Sequence, residues 1–542
     1  MIDSLYFLIF YFFLYLIGRG FFLLFLTFNN KNVAKFQLNH YSHFFSIIGL
    51  FVIGELKLIF NFFSNTNFFL ILVILIGFYG NKYFLSLKAE KIQIQALIAF
   101  ILGISSNTVN FSYDAGLYHL NAQGWMNESK IVFGLTNLHS RYGFSSFIEY
   151  INSTTWVFNN FIFQHFTNLI FIVSFFIFLY NCLSNPIFIN YKISALTILL
   201  FGVLDNFGVN GGRNGFIVIE AVSKQDTPFA VVFFFLLVYV LFYFYNSNEE
   251  SGINFFIILF LFLFSVQLRI FALSLTPLII FIFIRELFIF KKSYKYKLSV
   301  LILILLGIFW SFKNFIISSC LFYPIAFTCL QNTSWFNKNN AILDTSVISN
   351  FHIAFDPRDQ NLIDWFNLWS QTPINNTVFL NFVYSLALIF IFTLIVTKKR
   401  ETKTYPKVFM MPIYLFSIWI ISSPGIRMGL SISLISIFCI GINRSSLNNF
   451  FDKKYLINLL FLASLLLLPR ISDYKEGLSN PFQFTQLIPP TIEYYDQSNT
   501  VYWGVRPSLG DKCWINLNCV PGPVVIDEDL VFNYRVFNKI NK

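Results

Sequence analysis

Long apolar blocks alternate with short polar joints along the chain, and the blocks are too uniform for amphipathic packing on a soluble core. Blocks near twenty residues can cross a bilayer as helices. They fall near 5–27, 44–61, 68–87, 92–106, 160–180, 187–204, 228–245, 253–268, 270–287, 298–317, 377–397, 407–422, 428–442 and 455–469. The pattern predicts an all-α polytopic membrane protein with about fourteen transmembrane helices (12–14, since the shorter blocks carry an error of one or two). Arg269 interrupts the pair 253–268 and 270–287, which are both short. The first block carries Asp3 and no basic flank, the pattern of a first spanning helix rather than a cleaved signal peptide. No internal repeat period is visible.

Beyond residue 469 the pattern changes. Pro, Gly and Asp become frequent, and TVYWGV and PVVIDEDLVF read as strands. Two units follow: a transmembrane unit over 1–469 with large loops at 107–159, 205–227 and 318–376, and a tail over 470–542 with a small strand-containing cap.

Composition agrees with the pattern. Of 542 residues 56% are hydrophobic and 12% charged, with a mean hydropathy of +0.65; a soluble domain carries about a quarter charged residues. Phe supplies 75 positions. It rises together with Ile, Asn, Lys and Tyr, as in an AT-rich genome, so its abundance marks no site.

Lys plus Arg outnumber Asp plus Glu by 37 to 26. The excess sits in short joints, at Lys291, Lys292, Lys295 and Lys297, at Lys398, Lys399 and Arg400, and at Lys453 and Lys454. That is the positive-inside pattern, a signal of orientation and not of nucleic-acid binding. With these joints inside, the N-terminus, the three large loops, the SSPGIR turn at 422–427 and the tail all fall on the outer face of the plasma (inner) membrane. Cys182, Cys320, Cys329 and Cys439 lie in or beside apolar blocks and are expected as buried free thiols. Cys513 and Cys519, six apart in the polar tail, are expected to close a disulfide in an oxidising compartment.

The scarce ionisable residues carry the chemistry. Asp114 follows a membrane exit and precedes helical spacing at Tyr118, Ala122 and Trp125, which predicts an interfacial helix with its apolar face toward lipid. A carboxylate placed there caps the helix, accepts a hydroxyl proton or holds a divalent metal. His119, His139 and Arg141 share its loop. Asp226, Arg269, Lys313 and Arg427 stand at outer span ends, where charge is costly and points to a site. Several cations on one face suit a lipid-linked phosphate. Glu55 and Lys57 lie within a span on different helix faces, each expected to pair with another helix. VNGGRNG lacks the lysine of a phosphate-binding loop.

At these residues the chain resembles a family of large bacterial membrane proteins similar to the C-type (GT-C) glycosyltransferase superfamily. YDAGLYHLNAQGW followed by GLTNLHSRYGFSS looks like its first-loop signature. SKQDTP resembles a Ser-x-x-Asp-x-Pro element, and WSFKNFIISSCLFYP with Trp335 a Trp, Arg-Asn, Ser-Gly, Tyr-Pro element. SSPGIRMG resembles Ala-Pro-Asp-x-Arg-Phe-Gly, and GDKCWINLNCVPGP a tail with paired cysteines. Lys313 stands where Arg is usual, Ser319 for Gly, and Gly425 for Asp, which leaves no acid beside Arg427 in that turn.

The resemblance implies an integral-membrane enzyme that transfers a sugar from a polyprenyl-phosphate-linked donor to an envelope glycan or lipid acceptor. Asp114 would be the catalytic carboxylate, with Mg or Mn as a possible partner. Arg427 and Lys313 would be phosphate contacts, while the outer-face clustering itself makes His119, His139, Arg141, Asp226 and Arg269 substrate-binding candidates. The alternatives are a polymerase or ligase of lipid-linked glycans, and a lipid or solute transporter.

Overall fold

The computed structural model describes residues 1–28, 38–81, 91–144, 146–184, 191–204, 222–245, 251–289, 297–358, 361–372, 406–422, 424–442, 482–496 and 502–539, with isolated positions at 375–387 and 475. The predicted spans 377–397 and 455–469 fall largely or wholly outside them, as do the three basic joints apart from Lys297.

The chain is mostly α-helical. In chain order the membrane-type helices are α1 (Ile2–Phe28), α2 (Phe45–Asn61), α3 (Phe69–Asn81), α4 (Ile92–Gly103), α7 (Ile162–Ser184), α8 (Lys192–Leu204), α9 (Asp226–Tyr245), α10 (Ser251–Leu268), α11 (Thr276–Ile289), α12 (Lys297–Ser318), α15 (Met410–Ser422) and α16 (Ile426–Ile442). Four more helices lie in the large loops: α5 (Leu120–Glu128), α6 (Phe147–Ser153), α13 (Lys338–His352) and α14 (Leu362–Gln371). Among the described residues five segments are long and apolar enough to cross a membrane: Ile2–Phe28, Ser42–Asn61, Ile162–Ser184, Asp226–Phe244 and Leu298–Ser318.

Two of the shorter helices, α4 and α10, stop at polar residues. α4 stops where Ser105, Ser106 and Asn107 tighten the chain into a 3₁₀ turn over Ile104–Thr108. At Arg269 the backbone turns extended, and Ile270–Leu275 is 3₁₀ before α11 begins. The predicted span 270–287 is therefore a turn followed by a helix of 14 residues.

α9 forms the axis of the bundle, with every side chain from Phe229 to Tyr243 buried, and it packs against α7, α10 and α16. α1 packs on α2 and α3 through glycines. A Cβ at Gly18 would stand 1.7 Å from the Phe45 carbonyl oxygen, and one at Gly20 1.8 Å from that of Gly77. Such close backbone approach is how helices associate where apolar burial gives no drive. Some polar groups inside the bundle are paired, as a low dielectric favours: Arg19 donates to Asn81 Oδ1 at 2.6 Å, and Tyr11 to Gln95 Oε1 at 2.7 Å. Glu55 accepts from Gln267 on α10 at 2.6 Å, while Lys57 donates to Asn67 Oδ1 at 2.8 Å in the next joint rather than reaching another helix. In contrast, α12 exposes Leu301, Ile304, Leu305, Ile308 and Phe312, a face suited to lipid.

The tail forms two antiparallel hairpins, β1 (Tyr494–Asp496) with β2 (Val505–Pro507), and β3 (Ile526–Val531) with β4 (Tyr534–Lys539). It folds back onto the first large loop. Phe133 bridges Val536 of β4, accepting from Phe537 N–H and donating to the Arg535 carbonyl, both at 2.9 Å. Gly134, at φ 66°, makes the turn there, and a Cβ would meet the Phe537 carbonyl oxygen at 2.5 Å. Thr485 donates its backbone N–H and hydroxyl to Asp3, both at 2.9 Å, tying the start of α1 to the tail.

Two expectations are corrected. The helix after Asp114 does not turn its apolar face to lipid: Leu120 through Met126 are buried, with Trp125 packed on Phe537 and Gly124 on Leu517. The tail supplies the apolar cover that lipid was expected to give. Cys320 and Cys329 are not free thiols but form a disulfide, because the chain doubles back after α12, with Leu330 N–H donating to Ser319 O at 2.8 Å. Ser319 has φ 63° there, the left-handed conformation that favours glycine and explains the Gly of the related pattern. Cys513 and Cys519 are also joined, and Cys182 and Cys439 are buried and free.

Candidate functional site

The first large loop is held as a frame at one end of the bundle. Phe111 bridges Val222, and Ser112 donates to the Val222 carbonyl at 3.1 Å while accepting from Ala115 N–H at 3.0 Å. This bridge carries Lys224 to Asp114, and the two form an ion pair. Asp114 opens a single π-helical turn over Ala115–His119, and its side chain makes no capping bond. One-turn π segments are rare and concentrate at functional sites.

The tail clamps this turn. Trp514, within the Cys513–Cys519 loop, donates its backbone N–H to the Gly116 carbonyl at 2.8 Å, and its ring leaves no room for a Cβ there. Tyr113 donates to Asp511, and Lys512 lies 4.8 Å from the Tyr113 ring.

Behind the turn is a buried network. His119 Nδ1 bonds Glu149 Oε1, and Gln123 donates to Glu149 Oε2 at 2.6 Å. Gln123 Oε1 accepts from Gln164 at 2.6 Å and Trp156 at 2.8 Å, and Ser223 donates to Gln164 at 2.8 Å. Among the described residues His119 Nε2 has no hydrogen-bond partner. The imidazole is thus oriented by a carboxylate on one nitrogen with the other uncommitted.

Tyr118 is the meeting point of the charges. Burial, then the carboxylates of Asp114 and Glu149, raise its phenol above the ordinary value, against the opposing pull of Arg141 and Arg269. Its ring stacks on His139 at 6.2 Å and 13°. Burial, and then the Arg141 charge, hold His139 down to about 4, so it is neutral at pH 7. Arg269 forms an ion pair with Asp226, while its buried Nε has no partner among the described residues. Asp226 is the first residue of α9, with Pro228 in the first turn, where a missing N–H costs nothing.

A family model described as a domain of unknown function (DUF8201) matches residues 1–434. The chain belongs to the DUF8201 family. No curated protein and no solved structure matches it. Within the DUF8201 span lie Asp114, His119, Glu149, Lys224, Asp226, Arg269 and Lys313; the tail that clamps the π turn lies beyond it.

His119 and His139 thus contact the Tyr118 ring, and the charges of Asp114, Arg141 and Arg269 act on its phenol, with Asp226 paired to Arg269. Lys313 is placed differently. It is fully buried beneath the frame, 3.8 Å from the Trp310 ring and 5.6 Å from that of Tyr150, and it donates to Asn314 Oδ1 at 2.9 Å. Arg427 lies in the first turn of α16, and its side chain is outside the described residues. The turn before it is fixed by tryptophans: Trp419 donates to the Gly425 carbonyl and Trp369 to that of Pro424, both at 2.9 Å.

Among the described residues no three His, Cys, Asp or Glu side chains converge as metal ligands. The acid nearest in role, Asp114, carries an ammonium instead. Among the described residues the donor set does not fit a divalent ion.

Sequence reading missed Glu149, Lys224 and Gln123. Glu149 did carry a signal: it is a lone acid in the apolar run FIEYI, the same signature that singled out Glu55. Lys224 carried none, since it is 110 residues from Asp114. Apart from the charged cluster, a cavity of about 640 Å³ opens between α14, α15 and α16. It is almost wholly apolar, with Trp365, Trp369, Phe416 and Trp419 on its walls.

Proposed function

We propose that the protein is an integral-membrane glycosyltransferase of the cell envelope, using a polyprenyl-phosphate-linked sugar. The observation that carries this reading is the buried His119–Glu149 network, which reaches through Gln123 to Ser223, the neighbour of the Lys224 that pairs with Asp114. In the reaction Asp114 takes the proton of an acceptor hydroxyl. The hydroxyl oxygen bonds to the anomeric carbon, and the bond from that carbon to the phosphate oxygen breaks. The lipid phosphate leaves against Arg269, whose Nε and remaining guanidinium donors suit an anion. The apolar cavity between α14, α15 and α16 would take an isoprenoid chain.

In this reading about fourteen helices cross the plasma membrane, and the N-terminus, the large loops and the tail face outward. The Cys320–Cys329 and Cys513–Cys519 disulfides support that side, since such bonds persist in oxidising compartments. A cysteine placed at the exposed tail position by Leu509→Cys is expected to react with an impermeant maleimide in intact cells. Labelling only after permeabilisation would reverse the orientation.

Mass spectrometry of envelope glycans from cells with and without the gene tests the function. Loss of one defined sugar supports transfer, and collapse of a ladder of chain lengths points to a polymerase. An unchanged glycan profile overturns both and favours a transporter.

A further inference from the structure

The tail hairpin β3–β4 changes character along its length. Its open end is acidic, with Asp527, Glu528 and Asp529 exposed on β3. Glu528 accepts from Arg535 and Asp529 from Asn538, so these acids are tied back into the hairpin. Its closed end is apolar and equally exposed, with Leu530 and Val531 on the surface and Phe532 91% exposed.

The turn at that end holds Phe532 at a conformational cost. Val531 pairs with Tyr534, so Phe532 and Asn533 form a two-residue turn, and they stand at φ 51° and 64°. Asn and Gly are the usual occupants of these left-handed positions, because a bulky side chain strains the backbone there. Asn533 follows that rule. Phe532 departs from it and gains almost no packing from the rest of the chain in return. A large apolar side chain held in this way points to contact with something outside the protein.

The surroundings of the turn say what that is. Tyr534, the first residue after it, donates its hydroxyl to the Phe62 carbonyl at the end of α2, at 2.7 Å. The Phe62 ring stacks on Phe312 at 5.7 Å and 8°, and meets Phe309 edge-on at 5.9 Å. Phe312 belongs to the exposed apolar face of α12, and Phe63, the neighbour of Phe62, is exposed as well. The hairpin tip thus continues the surface that suits lipid, at the level where α2 ends. Lys130 adds a cation there, its ammonium 5.2 Å from the Tyr534 ring. Tyr and Lys both suit the headgroup layer, with an apolar body and a polar end.

We infer that the closed end of β3–β4 dips into the bilayer and anchors the tail to it, the partner being the border between headgroups and hydrocarbon. The unpaired edges of a two-stranded hairpin forbid deeper entry, so insertion stops at Leu530, Val531 and Phe532. The anchor bears on the first large loop, because β4 also pairs with Phe133 and sets Phe537 against Trp125. It requires no transfer chemistry.

The test uses the full chain in nanodiscs of phosphatidylcholine and phosphatidylglycerol, one copy per disc, with an NBD fluorophore on Phe532→Cys. The wild type, whose free thiols Cys182 and Cys439 are buried, gives the labelling background. Emission is expected to shift to the blue and to lose most of its intensity when doxyl-labelled lipid is included. Asp527→Cys carries the same label about 17 Å away along β3. It should keep the emission of a label in water and be quenched by iodide instead. A Phe532 label that behaves like the Asp527 label overturns the anchor. Shielding seen only in discs with two copies assigns the tip to a second copy and also overturns it. Leu530→Cys, at another exposed position of the tip, is read in the same way if the Phe532 variant does not insert.

Discussion

With Asp114→Asn in place of the wild-type chain, transfer is expected to fall by about 10²–10⁴-fold, the range for loss of a general base, while the protein still inserts. Complementation of the deletion strain, read by envelope-glycan mass spectrometry, checks it. Asn has the shape of Asp, so the π turn over Ala115–His119 has no steric reason to change. The turn is held from outside by Ser112, which accepts from Ala115 N–H, and by Trp514, which donates to the Gly116 carbonyl, and neither bond depends on the Asp114 charge. Besides the proton acceptor, the substitution removes the charge that pairs with Lys224. That pair is partly exposed, where an ion pair contributes only about 0–1 kcal/mol to stability. A severe loss of transfer therefore cannot come from loss of the pair as a structural tie. Full restoration of the glycan by this variant would remove Asp114 from the chemistry.

How much of this was legible depended on whether a feature was local. The long helices were, because an apolar run declares itself within twenty residues: α1, α7, α9 and α12 all follow the blocks that predict them. Strands at 526–531 and 505–507 lie in or beside the alternating runs of the tail. Breaks inside apolar blocks were half legible. Arg269 marked one, but the six-residue 3₁₀ turn after it shortened α11 in a way hydropathy does not register. The candidate site was legible as a list of scarce charges and not as an arrangement. Asp114 and Lys224 meet only because Phe111 bridges Val222, a backbone pairing that no residue pattern announces. The Cys320–Cys329 bond was hidden by its setting, since apolar neighbours read as membrane until the chain is seen to double back.

The tail shows the same limit from the other side. Its composition sets it apart as a small unit, yet it completes the first loop. Trp514 seats the π turn, Phe537 covers Trp125, and Asn516 O accepts from Asn121 at 2.6 Å. The spacing of α5 does announce an apolar face in need of cover, but nothing local tells lipid from a segment almost 400 residues away.

Glu149→Gln is the second large effect, and it separates orientation from charge. Glu149 is buried and accepts from both His119 and Gln123. Gln keeps the volume and one carbonyl oxygen but turns the other position into a donor, which would face either the Gln123 amide or the imidazole nitrogen. A hydrogen bond to a charged group contributes about 1.5–3 kcal/mol, and a buried group left unsatisfied costs about 1–3 kcal/mol. The variant should unfold at lower temperature, and transfer should fall with it. His119→Gln supplies the discriminating control, because it leaves Glu149 a neutral donor and removes only the imidazole. If the pair serves only to hold the fold, His119→Gln should recover transfer as it recovers thermal stability. If His119 Nε2 faces the reacting groups, His119→Gln should be stable and still slow. Glu149→Gln with wild-type stability and wild-type transfer would show that the buried pair supports neither fold nor reaction.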